Sequence, residues 1–188
     1  MAVRRMEKLV DRLATRRGFV ALLVLELLFQ GAFALLMGRS ESGTRPLDLR
    51  FYYSPIEADA IIGGFTAADR KAYVVTALTL DMAYPAVYSL LMAVTLALLI
   101  RYVHRDQRGW MKLRLLPFAA AGADVLENLA AALLAARYPV QMPAVARAAG
   151  VLTAAKWSLV AVCSIMIVAF AACALVVWIK NPRHPRPR

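Results

Sequence analysis

Four long apolar blocks separated by polar, mostly basic connections constrain this chain more than any other feature. They lie near residues 18–38, 71–101, 111–137 and 150–179. About 20 apolar residues in helical form cross the roughly 30 Å hydrocarbon core of a bilayer. Helices satisfy their backbone hydrogen bonds internally, which that environment demands. The pattern predicts an all-α, polytopic membrane protein: one four-span domain over 1–188, built as a four-transmembrane-helix bundle. With 61% hydrophobic residues the chain exceeds a soluble domain, for which about 45–50% is usual. The first block is longer than a signal-peptide core and follows 17 residues, so it reads as a retained span.

The net charge of +11 is not spread evenly. Residues 1–17, 101–114 and 180–188 each carry +4, and the rest of the chain is close to neutral. Basic connections alternating with apolar blocks are the positive-inside pattern. It predicts a multi-pass protein of the plasma (inner) membrane with both termini cytoplasmic. It also argues against nucleic acid as the partner of these charges and for the anionic lipids of the inner leaflet. Residues 2–16 place Val3, Met6, Leu9, Val10 and Leu13 on one helical face, either as an amphipathic helix on that leaflet or as a solvated leader that sets topology. The Pro/Arg-rich tail 180–188 is expected to be disordered.

Metal and redox chemistry find little support. Cys163 and Cys173 are ten residues apart in the last block, roughly 15 Å along a helix, too far for a mutual disulfide. His104 and His184 fall in basic connections, no ligand spacing is present, and no cofactor is expected.

The connection 39–71 balances five basic against five acidic residues, as an external loop would. Ser54-Pro55-Ile56-Glu57 reads as a helix start, Gly63-Gly64 as its end, and Thr66 as the cap of the next helix. A short external amphipathic helix is therefore expected between spans 1 and 2, as a lid or a plain connector. A continuous helix is expected over 67–101, kinked at Pro85, which frees the Asp81 carbonyl. Alanine-rich 119–123 and 130–132 make the third span the expected central helix.

The functional signal is a set of polar side chains at similar depth. Counted at 1.5 Å per residue from the outer end of each span, Gln30, Asp81, Glu127, Asn128 and Lys156 lie about 15 Å down, and Glu26 and Asp124 about 20 Å. Helical spacing puts Asp81, Tyr84 and Tyr88 on one stripe, Asp124, Glu127 and Asn128 on a second, and Thr153 and Lys156 on a third. Four carboxylates and one ammonium leave three negative charges unbalanced. Each charge at this depth costs about 2.5–3.5 kcal/mol on the gentler insertion scale. The set reads either as a site for a proton, cation or small ligand, or as polar glue between helices.

Three functions fit. One is a binding or transport protein, which as a transporter would need a homodimer. Another is a membrane-embedded acid–base enzyme, isomerase-like, acting on a lipid or isoprenoid; no Ser/His or Cys/His nucleophile arrangement and no phosphate loop is present. The last is a scaffold or accessory subunit with a dry, fully paired interior.

Overall fold

The computed structural model describes residues 2–37, 46–103 and 109–180. The tail beyond Lys180, His104, Arg39 and the end of the first block at Gly38 lie outside the described residues. The described chain is helical throughout: α1 (Ala2–Leu13), α2 (Arg16–Met37), α3 (Pro55–Gly64), α4 (Ala67–Leu78), α5 (Leu80–Val103), α6 (Leu116–Arg137) and α7 (Pro143–Lys180). Short 3-10 turns, Leu47–Leu49 and Trp110–Leu115, precede α3 and α6. Four helical stretches are long and apolar enough to cross a membrane: Arg16–Leu36, Leu80–Val103, Trp110–Arg137 and Pro143–Lys180. The chain is an all-α membrane helical bundle.

Small residues decide which helices meet. Ala120, Ala131, Ala132 and Ala135 are buried on α6, and Ala146, Ala149 and Gly150 on α7. They let α6 pack along α7 and also meet α4 and α5, so α6 is the central helix. By contrast α2 packs along α5, touches α1, and leaves Leu23, Val24, Leu27 and Leu28 exposed for lipid.

The end of the bundle bearing the basic segments is closed by α1. Val10 and Ala14 insert against Leu22 of α2 and Ala93, Val94 and Ala97 of α5. Val3 and Leu9, expected on the same apolar face, are instead exposed. Asp11 pairs with Arg101 at 2.5 Å and with the buried Arg114. That Arg114 hydrogen bond, the largest influence, holds the Asp11 carboxyl below its ordinary value, against the opposing effect of partial burial.

At the other end, the connection folds back over α6 and α7. Leu47, Tyr53, Ala58, Ile61, Ile62 and Phe65 share a core with Ala131, Leu134, Ala135, Ala146 and Ala149. The capping box at Ser54 forms as expected: the Ser54 N–H donates to Glu57 Oε2 at 2.8 Å and the Glu57 N–H to Ser54 Oγ at 3.3 Å. Ile61 and Ile62 turn inward while Ile56 stays exposed. Gly150 is required here, because a Cβ on it would run into the Tyr53 carbonyl oxygen. The extended backbone at Tyr53 thus packs closely on α7.

The second helix is not continuous. It breaks at Thr79 (φ −121°, ψ −80°), six residues before Pro85, and the apolar span starts at Leu80. Thr79 Oγ1 donates to the Val75 carbonyl at 2.6 Å, a local bond that competes with helix propagation. The break places Asp81 in the first turn of α5, where the helix dipole favours an anion. Pro85 continues inside α5, and Asn128 Nδ2 donates to the freed Asp81 carbonyl at 2.8 Å. That bond ties α6 to the kink.

Candidate functional site

A cavity of about 730 Å³ lies among α2, α4, α5, α6 and α7 and reaches the turn Leu47–Leu49. Glu26 and Gln30 reach it from α2, Asp81, Tyr84 and Tyr88 from α5, Asp124 and Asn128 from α6, and Lys156 from α7. Eight of the nine side chains singled out by depth and spacing therefore line one space. The ninth, Glu127, sits behind the wall and is fully enclosed.

The polar groups form two centres. Between α6 and α7, Lys156 Nζ meets Glu127 Oε2 at 2.5 Å and Asp124 Oδ1 at 3.3 Å. Thr153 Oγ1 donates to Glu127 Oε1 at 2.7 Å. One ammonium thus serves two carboxylates, and Glu127 has partners on both oxygens. Across the cavity, between α2 and α5, Tyr84 donates its hydroxyl hydrogen to Glu26 Oε1 at 2.8 Å. Gln30 Nε2 lies 3.0 Å from the same oxygen and 2.7 Å from the Tyr84 hydroxyl. Tyr84 also packs against Tyr88 (ring centroids 5.2 Å apart) and edge-on against Phe33 (5.3 Å). These rings give the cavity an aromatic wall. The Tyr88 hydroxyl lies beside Asp124.

Sequence reasoning missed Asp48. It sits in the 3-10 turn Leu47–Leu49, and its side chain lines the cavity. The turn is held by enclosed Leu47 and by Trp157 Nε1, which donates to the Asp48 carbonyl at 3.1 Å. Asp48 Oδ1 is enclosed with no hydrogen-bond partner among the described residues. Burial, the dominant influence, raises the Asp48 carboxyl above its ordinary value, although Lys156 acts in the opposite sense. The alternation of Leu47, Asp48 and Leu49 in an otherwise polar connection was the available signal.

The charge balance decides what the space suits. Glu26, Asp48, Asp69, Asp81 and Asp124 line it, and Lys156 is already paired with Asp124 and Glu127. Among the described residues no cation forms an ion pair with Glu26, Asp48 or Asp81. No group of three or more metal-ligating side chains is close enough to hold a metal ion among those residues. The rest of the wall is apolar and aromatic, including Phe33, Ala34, Phe65, Leu91, Met92 and Val160. Such a space can hold an organic molecule with an apolar body and a positive or proton-donating group. Comparisons with models of protein families, with curated proteins and with solved structures find no match to this chain, so the reading of this site rests on its geometry.

Proposed function

We propose that the chain is a membrane-embedded binding protein for a small organic cation, held among carboxylates at mid-membrane depth. The observation that carries this reading is the excess of cavity carboxylates over cations: Asp48 and Asp81 face about 730 Å³ of largely apolar space with no ion pair among the described residues. Ligand sites of this kind span roughly 300–1,000 Å³ and combine apolar walls with a few placed polar groups. An isolated carboxylate in hydrocarbon costs several kcal/mol, and a bound cation offsets that cost. The cavity supports this reading over a scaffold, whose polar network would be packed and paired. It also supports an organic ligand over a bare proton, which needs no such volume.

In this reading the three basic stretches face the cytoplasm at the inner membrane, by the positive-inside rule, and α1 rests at the anionic leaflet. The cavity then lies beneath the external cap formed by residues 46–65. Carriage of the ligand across the membrane would use a homodimer, since four spans are few for alternating access.

The test uses the full chain in zwitterionic nanodiscs with dodecylammonium as probe. A ligand that binds only the folded state stabilises it by RT ln(1 + [L]/Kd), about 2.7 kcal/mol at a hundredfold excess over Kd. Wild type is expected to show a saturable rise in unfolding temperature, and Asp48→Asn with Asp81→Asn to lose it. A rise that survives both substitutions, or none in the wild type, overturns the reading. If neutralising Asp81 also leaves proteoliposome uptake of the amine unchanged, carriage is ruled out.

A further inference from the structure

We infer that the ligand comes sideways out of the bilayer, between α2 and α7, and that it is a chain-bearing amphipath whose tail stays in lipid. This rests on the cation-binding reading and adds the route and the molecular class. The first observation is a missing wall. The cavity takes Glu26, Gln30, Phe33 and Ala34 from α2 and Lys156, Trp157 and Val160 from α7. Yet among the described residues α2 packs along α5 and α1, α7 packs along α6, α5 and α3, and α2 packs along neither α7 nor α4.

Two other directions are obstructed by described residues. Towards the cap, the turn Leu47–Leu49 lies over the cavity, tied to α7 through Trp157, with Phe65 and Tyr73 beside it. Towards the basic end, Leu22, Ala93, Val94 and Ala97 close the interior against Val10 of α1. The gap between α2 and α4 lies ahead of the apolar span that starts at Leu80 and is lined by Asp69 and Thr76, whereas the gap between α2 and α7 runs between two spans. Its rims carry Gln30, Ala34 and Leu36 on one side and Trp157 on the other, residues that both line the cavity and are exposed. Beyond the α2 rim the helix surface is apolar, with Leu27 and Leu28 exposed beside Glu26 and Gln30. At this depth such surfaces face hydrocarbon rather than water.

The gap also orders the ligand. Ala34, Leu36 and Val160 lie towards the opening, whereas Asp81 and Asp124 come from α5 and α6 on the opposite wall. A charged head seated on those acids leaves its tail leading out through an apolar mouth. This is snorkelling inverted, with the protein interior in the place of the aqueous interface.

A chain-length series separates this from a closed cavity. Primary alkylamines from hexylamine to octadecylamine are titrated into nanodiscs with and without the full chain, to subtract partition into lipid. Affinity is expected to rise with length and then level off, with no loss for the longest chain. Ala34→Trp, narrowing the mouth, is expected to weaken octadecylamine about tenfold and to leave hexylamine nearly unchanged. Leu36→Trp on the same rim serves as the second variant if Ala34→Trp does not fold. Affinity that collapses once the chain outgrows the cavity overturns the lateral route, as does a rim substitution that leaves octadecylamine binding at wild-type strength. Absence of binding at every length overturns the cation reading, and this inference with it.

Discussion

On the α6–α7 side of the cavity, Glu127 is enclosed and held by Lys156 and Thr153. On the other side, Asp48 and Asp81 face the same space without an ion pair among the described residues. The same functional group, a carboxyl, is treated differently on the two sides. In the first centre the charge is neutralised within the fold, so it joins two helices. In the second the fold leaves the charge to be neutralised by something else, or by a proton. Position along a span therefore does not separate the two kinds of carboxyl; the presence of an ion-pair partner does.

The largest effect that separates the two centres is expected at Lys156. Lys156→Met removes the one ammonium shared by Asp124 and Glu127, and breaking a buried pair from one side costs about 3–5 kcal/mol. Denaturation of the purified chain in mixed micelles measures it. Stability unchanged by that substitution would show that the paired centre is not structural.

Next comes the kink. Asn128→Leu leaves the Asp81 carbonyl without its donor, at a cost of about 1–3 kcal/mol. In a Pro85→Ala background the carbonyl regains a helical partner, so Asn128→Leu should cost less. A double-mutant cycle by the same assay reads the coupling; strictly additive effects would contradict the account of the kink.

Asp81→Asn sharpens the contrast from the other side. It removes a carboxyl that has no ion pair among the described residues, so stability should hold within about 0.5 kcal/mol or rise, while affinity for dodecylammonium falls at least about tenfold. A large loss of stability would place Asp81 with the paired centre.

The smallest effects concern pH, and their signs are opposite at Asp48 and Asp11. The Asp48 carboxyl is raised in the folded chain, so the fold binds more protons than the unfolded chain between the ordinary value, about 3.9, and the raised one. Its effect is a loss of stability as pH rises through that window, and Asp48→Asn should remove the loss. The Asp11 carboxyl is lowered, so its contribution is present above about 3.9 and fades as pH falls through the lowered value. Unfolding followed against pH for Asp48→Asn and Asp11→Asn checks both signs. Slopes of the same sign would contradict the assignment.

Much of this was legible in the sequence because membranes simplify the reading. Hydropathy gave the spans, and counting residues along each span singled out Asp81, Asp124, Glu127 and Lys156, which the fold brings together. The orphan carbonyl at Asp81 followed from Pro85, but its donor, Asn128, did not, because helix rotation is set by neighbours. The same limit hid the division into two centres: spacing puts Glu127 on a stripe with Asp124 and cannot say which of them a partner helix covers. Asp48 was missed for a different reason. A short turn is placed by contacts distant in sequence, here Leu47 in the cap core and Trp157 on α7. The break at Thr79 was masked by Pro85, which carries the stronger local signal yet stays within its helix.

The most direct measurement compares ligands that differ only in head-group charge. Dodecylammonium, dodecanol and dodecanoate, titrated calorimetrically into nanodiscs bearing the full chain, share one tail and separate charge from hydrophobicity. The account predicts that the ammonium binds at least about tenfold more tightly than the alcohol, a difference of ~1.4 kcal/mol. It also predicts that the carboxylate binds most weakly, and that the ammonium's advantage vanishes when Asp48 and Asp81 are both changed to Asn. Equal binding of ammonium and carboxylate, or a preference that persists in that double variant, would contradict it.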